Sequence, residues 1–201
     1  LIAATGHWPN RTLEAGLLSF PWSTDLSQPW RVSNASWLRA LKGKTVLIFH
    51  PFVRTLRAQV ERGSEAIWGA SDAPKVVLPS GARAIKLVAP PVLFAGELDA
   101  DADRSMTRSR QWRIALADLI SSVDAVGDFD VALLACGGLG MLLGSHLRAI
   151  NRSSIYFGGS LQLLFGVMGG RWLNGSHHDQ GFASFLSDHT FVCPRADERP
   201  R

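Results

Sequence analysis

Two glycine-rich turns stand where a phosphate could be held. Cys136-Gly137-Gly138-Leu139-Gly140 follows the apolar run Val131–Ala135, and Gly158-Gly159-Ser160 follows Ser154–Phe157. Glycines at a strand-to-helix turn let backbone N–H groups approach a phosphate, which the unpaired donors and dipole of the helix N-terminus also attract. This chemistry suits a nucleoside diphosphate, with Gly137, Gly138, Gly140, Gly158, Gly159, Ser160 and Gln162 as the binding set. The spacing Gly-Gly-x-Gly falls short of the dinucleotide fingerprint, and no acidic residue stands about 20 positions later on a strand end. Close packing of a helix on a sheet would demand the same glycines. His50 ends the apolar run Thr45–Phe49 and precedes Pro51, which predicts an imidazole at the rim of a crevice. There it would serve as a base or as a phosphate donor, or simply bond the backbone at a strand end. Arg54 and Arg57 follow on the next helix, as phosphate partners or as an ordinary solvated face.

Glu97 to Asp103 contains overlapping Asp-x-Asp patterns, and Asp99 with Asp101 could hold a divalent manganese or magnesium ion against a diphosphate. A solvated acidic loop has the same composition. Asp128-Phe129-Asp130 fits the pattern too, but stands at the amino end of its strand, away from the expected crevice. His177-His178-Asp179 and Asp188-His189 match no zinc spacing. A serine hydrolase finds no Gly-x-Ser-x-Gly elbow, since Gly144-Ser145-His146 lies inside a predicted helix.

The elements that must position these residues alternate. Thr45–Phe49, Ala84–Val88, Val131–Ala135 and Ser154–Phe157 read as strands. Helical spacing runs from Phe52 through Leu56, Gln59 and Val60 to Gly63, from Trp112 to Val123, and from the Gly137 turn to about Ile150. Strand-helix alternation predicts an α/β fold: a Rossmann-like open, mainly parallel sheet with helices on both faces. Residues 1–35, punctuated by proline and tryptophan, form an irregular lead-in that reads as the remnant of a longer N-terminal region. Residues 36–172 form the α/β domain, and 173–201 a polar, peripheral tail.

Composition narrows the classes. The chain has 201 residues, 46% hydrophobic and 19% charged, enough for one substantial core and too apolar for disorder. Its 21 basic residues exceed its 17 acidic ones without forming a run, so no nucleic-acid partner is expected. The uncharged stretches Val131–Leu147 and Ser153–Gly170 are too short and too glycine-broken to cross a membrane, so no transmembrane segment is expected. Cys136 reads as a small core hydrophobe, and two cysteines make no disulfide framework. All four asparagines, Asn10, Asn34, Asn151 and Asn174, stand in glycosylation sequons. That points to a secretory lumen, against a cytoplasmic location if the protein is bacterial-like.

Two blocks carry a family resemblance. Asp128 to Gly140, His146, Gly158-Gly159-Ser160-Leu161-Gln162-Leu163-Leu164-Phe165-Gly166 and Arg171-Trp172 form one; Trp37 to Phe52, with Thr55 and Gln59, forms the other. Together they resemble a family of bacterial proteins from surface-polysaccharide gene clusters that look like GT-D-type glycosyltransferases. The resemblance implies a Rossmann-like fold, a nucleotide sugar as substrate, a glycan acceptor and a divalent metal. On this reading His50 and Arg171 are the catalytic candidates and, with Gln162, supply polar contacts, the arginine as the fork that stabilises a departing diphosphate. The chain departs from the pattern in two ways. It contains no Asp-x-Glu, which in GT-D enzymes serves the metal and nucleotide sugar, and Cys136 and Leu139 replace the family's small residue and tyrosine. A non-catalytic Rossmann-like regulatory or scaffold protein of glycan assembly is the alternative. A dehydrogenase or methyltransferase is disfavoured, because Pro90-Pro91 follow the second strand where a ribose-binding acid is expected.

Overall fold

The structure, a computed structural model, describes residues 40–68, 81–91, 104–169 and 191–198, with backbone only for Trp68 and for 104–110. Four strands, β1 (Thr45–Phe49), β2 (Ala84–Val88), β3 (Val131–Leu134) and β4 (Ser154–Tyr156), pair in the order β2-β1-β3-β4. Every pairing is parallel. The helices are α1 (Val53–Arg62), α2 (Ser64–Trp68), α3 (Arg104–Val126) and α4 (Gly138–Ala149), with 3₁₀ turns η1 (Gly158–Phe165) and η2 (Ala196–Glu198).

Period-two alternation sends successive side chains of a strand to opposite faces. In β1, Val46 and Ile48 join Leu56 of α1, Ile67 of α2 and Leu161, Leu164 and Phe165 of η1 on one face. Leu47 and Phe49 join Leu119 and Val123 of α3 and Leu143 and Leu147 of α4 on the other. Strand β3 divides in the same way, Leu133 to the first face and Ala132 and Leu134 to the second. The fold is therefore an α/β parallel sheet covered by helices on both faces, as the continuous apolar runs require. Its start is fixed by Asp130, whose carboxylate accepts the Thr45 N–H at 2.7 Å and pairs with Arg83. The Thr45 bond holds the Asp130 carboxyl below its ordinary range.

The boundaries depart slightly from the sequence expectation. Strands β3 and β4 end one residue early, at Leu134 and Tyr156. Gly158–Phe165 winds into η1, with Leu161 to Phe165 buried. The tail expected to be peripheral is in part an element of the domain. Val192 bridges Val167 in parallel, and Val192 N–H donates to Gly166 C=O while Met168 N–H donates to Val192 C=O. The lead-in at 1–35 lies outside the described residues.

Gly166 separates space from backbone strain. Its φ is +63°, and a Cβ there would lie 2.4 Å from Ile67 Cγ2, whereas at Gly43, φ +72°, a Cβ would meet nothing within 4 Å. Gly166→Ala should cost about 3 kcal/mol, positive-φ strain plus overpacking, and Gly43→Ala only about 1 kcal/mol from the strain. Urea denaturation of the two variants measures the difference; equal losses would contradict this packing of η1 against α2.

Candidate functional site

Strand order places the chain's reversal between β1 and β3. From β1 the chain crosses by α1 and α2 to β2 on one side; it returns by α3 to β3 on the other side. The helices that follow β1 and β3 lie on opposite faces. Their divergence marks the place, beyond the carboxyl ends of the two strands, where open α/β sheets form their ligand crevice. Phe49 and Leu134 are paired there, and Ala135 N–H donates to Phe49 C=O. The residues at the mouth are thus His50-Pro51-Phe52 from one strand and Cys136-Gly137-Gly138 from the other.

On the β3 side the glycine turn is open. Gly137 takes φ +59° and ψ −151° as the N-cap of α4 and offers no side chain to the first-turn amides. Gly137 and Gly138 are exposed, and a Cβ at either would meet nothing within 4 Å. Unpaired N–H groups of the first helical turn therefore face accessible space. Gly140 has a different reason. A Cβ there would lie 2.9 Å from the Tyr156 ring and 3.2 Å from Cys136 Sγ, so Gly140 admits close packing of β4 on α4. Burial raises the Cys136 thiol to about 11, which leaves it a protonated filler and no nucleophile at neutral pH.

On the β1 side His50 corrects the expectation of a rim residue. It is 1% exposed. Its backbone N–H donates to Val88 C=O, and its Nδ1 accepts the Phe52 N–H at 3.0 Å. The imidazole is tilted 58° to the Phe52 ring, ring centroids 5.0 Å apart. The proline after His50 explains the burial: Pro51 turns the chain sharply into α1, and the imidazole folds back to bind the amide at that turn. Burial lowers its pKa from 6.5 to about 3, so the ring is neutral, with Nδ1 the acceptor and the proton on Nε2. Among the described residues nothing accepts that Nε2–H. A buried donor left without a partner is an expensive group, and it needs one.

Gln162 is a second such group. It is 5% exposed, and its side-chain amide has no hydrogen-bond partner among the described residues. A Cβ on Gly169 would lie 3.2 Å from Gln162 Nε2 and 3.8 Å from Phe52 Cε2, which places this amide and the Phe52 ring on a common spot. The structure thus gathers His50 and Gln162 around Phe52. Gly158, at φ +64°, turns beside the Tyr156 hydroxyl, whose pKa burial raises; Gly159 is exposed and Ser160 half-buried. Arg171, Asp99 and Asp101 lie outside the described residues. Among the described residues no group of three or more His, Cys, Asp or Glu side chains is placed to hold a metal ion. No helix among them is long and apolar enough to cross a membrane.

Two residues of this region were missed in the sequence. Tyr156, the only tyrosine, links the Gly140 turn to Gly158; an aromatic residue closing a strand was its only signal. Glu198 reaches the start of α1 from 143 residues away, and no local pattern announces it. Comparison with protein-family models, curated proteins and solved structures finds no match.

The His50 geometry sets a pH dependence. The unfolded histidine takes up a proton near pH 6.5 and the folded one only near pH 3, so between these values the unfolded state binds more protons and stability falls as pH falls. The slope contributed should approach about 1.4 kcal/mol per pH unit. His50→Asn offers the Phe52 N–H an amide oxygen without a titrating ring, and should remove that component. Urea midpoints of both proteins from pH 7 to pH 4 test it; identical pH slopes would show that His50 titrates normally.

Proposed function

We propose that this domain binds a nucleoside diphosphate, as part of a nucleotide sugar, in the crevice between β1 and β3, and acts as a glycosyltransferase-like domain in glycan synthesis. The observation that carries this reading is the open Gly137-Gly138 turn at the sheet's point of reversal, opposite a buried histidine whose Nε2–H lacks a partner among the described residues. A diphosphate there would accept the first-turn amides of α4, drawn by a positive helix end. The resemblance of Asp128 to Gly140 and Gly158 to Gly166 to the surface-polysaccharide family supplies the sugar half of the reading.

In such a transfer the bond between the anomeric carbon and the diphosphate oxygen breaks, the acceptor hydroxyl oxygen forms the new bond to that carbon, and its proton leaves to the departing diphosphate or to water. What this chain's own residues contribute is stabilisation of the departing diphosphate by backbone donors. His50 is reassigned from base to hydrogen-bond donor, because a neutral imidazole with its pKa near 3 does not take a proton at neutral pH. Gln162 supplies a second polar contact. Arg171 remains the proposed cation for the leaving group, and Asp99 and Asp101 the proposed metal ligands. Tyr156, at the far side of the glycine turn, offers the ring that the family resemblance puts at position 139.

One observation favours the non-catalytic alternative. The described carboxylate at the start of α1, Glu198, is engaged by the backbone N–H groups of Arg54 and Thr55 and so is not free to act as a base.

A thermal-shift screen of UDP, GDP, TDP, CMP, NAD and S-adenosylmethionine, with and without manganese, tests the reading. At a hundredfold excess over Kd, binding stabilises by about 2.7 kcal/mol, a rise of about 5–10 °C for a chain of this size. One nucleoside diphosphate should give that rise. Gly138→Asp should fold normally, since the position is open and an acid suits a first helical turn, yet lose the shift by repelling the diphosphate. A shift with NAD or S-adenosylmethionine alone, or one undiminished in Gly138→Asp, would contradict the assignment.

A further inference from the structure

Helix α4 ends on a turn made by an asparagine. Asn151 N–H donates to Arg148 C=O and Arg152 N–H to Leu147 C=O, the paired bonds of a Schellman motif, with Asn151 in the left-handed region at φ +58°. Glycine takes that conformation at no steric cost, and it fills the six other positions of positive φ among the described residues. Asparagine is the side chain that visits this region most readily, so the turn accounts for an asparagine being tolerated at 151. It does not account for the departure from glycine.

Ser153 has even less structural reason. Its C=O accepts Ala132 N–H, a bond that any residue can make there. Residues 151–153 are exposed, and neither the Asn151 amide nor the Ser153 hydroxyl has a hydrogen-bond partner among the described residues. Arg152 between them is tied down, its guanidinium 5.2 Å over the Phe129 ring and 3.3 Å from the Asp128 carboxylate. The fold therefore holds the backbone and the middle side chain, and leaves to solvent an asparagine amide and a hydroxyl two residues on. Those are the two groups that an N-glycosylation acceptor needs, on a surface turn. The other asparagines bear on the same point. Asn10, Asn34 and Asn174 also stand two residues before a serine or threonine, types that make up about an eighth of the chain, so chance would place all four this way about once in a few thousand sequences.

We propose that Asn151 is an N-glycosylation site, and that its substrate is an oligosaccharide carried on a lipid diphosphate in a secretory lumen. The Asn151 side-chain nitrogen forms a bond to the anomeric carbon of the oligosaccharide as the bond from that carbon to the diphosphate oxygen breaks. The lipid diphosphate leaves, and one amide proton passes to the transferring enzyme. The glycan stands at the amino end of the sheet, separated from the Gly137 turn by the twelve residues of α4, about 18 Å of helix. It leaves the crevice open, and its attachment does not depend on what the crevice binds.

The test starts from the protein purified from its own cells. Chymotrypsin releases the peptide Arg148–Tyr156. Peptide-N-glycosidase in water enriched in oxygen-18 should convert residue 151 of that peptide to labelled aspartate, and most of the peptide should appear only after this treatment. Directed into the secretory lumen of cultured eukaryotic cells, the wild-type chain should be heavier by one oligosaccharide than Ser153→Ala or Asn151→Gly. Both variants keep the turn, the first because Asn151 stays in place and the second because glycine takes a positive φ freely, so a lost glycan does not report a lost fold. Recovery of the Arg148–Tyr156 peptide from the natural protein in its unmodified form alone overturns the proposal, as do equal masses of the three chains made in the lumen.

Discussion

Parallel pairing of β1 with strands on both sides is the constraint on which the rest of the structure depends. A strand with no free edge and apolar side chains on both faces needs helices above and below, and parallel neighbours can be reached only by crossovers. One crossover covers one face and the next covers the other, because β2 and β3 lie on opposite sides of β1. The two helices that leave the adjacent carboxyl ends therefore diverge. The crevice is a product of topology, and the residues at its mouth are whichever ones the chain places after Phe49 and Leu134.

What those residues are gives the crevice its character. On one side, glycine removes every obstacle from the amides that start α4. On the other, Pro51 bends the chain so tightly that His50 is drawn inside and binds the turn it belongs to. Burial then keeps the ring neutral, and the Phe52 N–H bonded to Nδ1 fixes its tautomer, which leaves a donor at Nε2. The start of α1 is filled by Glu198, so the two helix ends differ: one is open and the other is plugged by a carboxylate from the chain itself.

Much of this was legible in the sequence, and the reason is physical. Strands buried on both faces must be continuous apolar runs, so Thr45–Phe49 and Val131–Leu134 declared themselves, and the glycine turn after β3 followed from their ends. The role of Gly140 was half legible: packing and phosphate approach select the same residue, and only the Tyr156 ring beside it decides for packing. His50 was found but misplaced, because residue order does not reveal whether a side chain at a strand end turns outward or back. Glu198 was invisible. A single acid in a polar tail has no periodicity, and its partners stand 143 residues away. The segment from Gly158 reads as a glycine-rich turn after the strand; its mixed apolar and glycine content does not distinguish a buried 3₁₀ turn from a loop.

On the proposed function, ligand enters at the reversal point and bonds the buried imidazole and the open glycine turn together. The most direct measurement is nitrogen-15 NMR of the wild-type chain with the imidazole and backbone both labelled, as a nucleoside diphosphate is added. The account predicts that the Nε2–H signal of His50 and the amides of Gly137, Gly138 and Leu139 move in one saturating process with a single Kd, while Nδ1 stays unprotonated. Saturable binding that leaves the His50 Nε2–H and the Gly138 amide unmoved would contradict it.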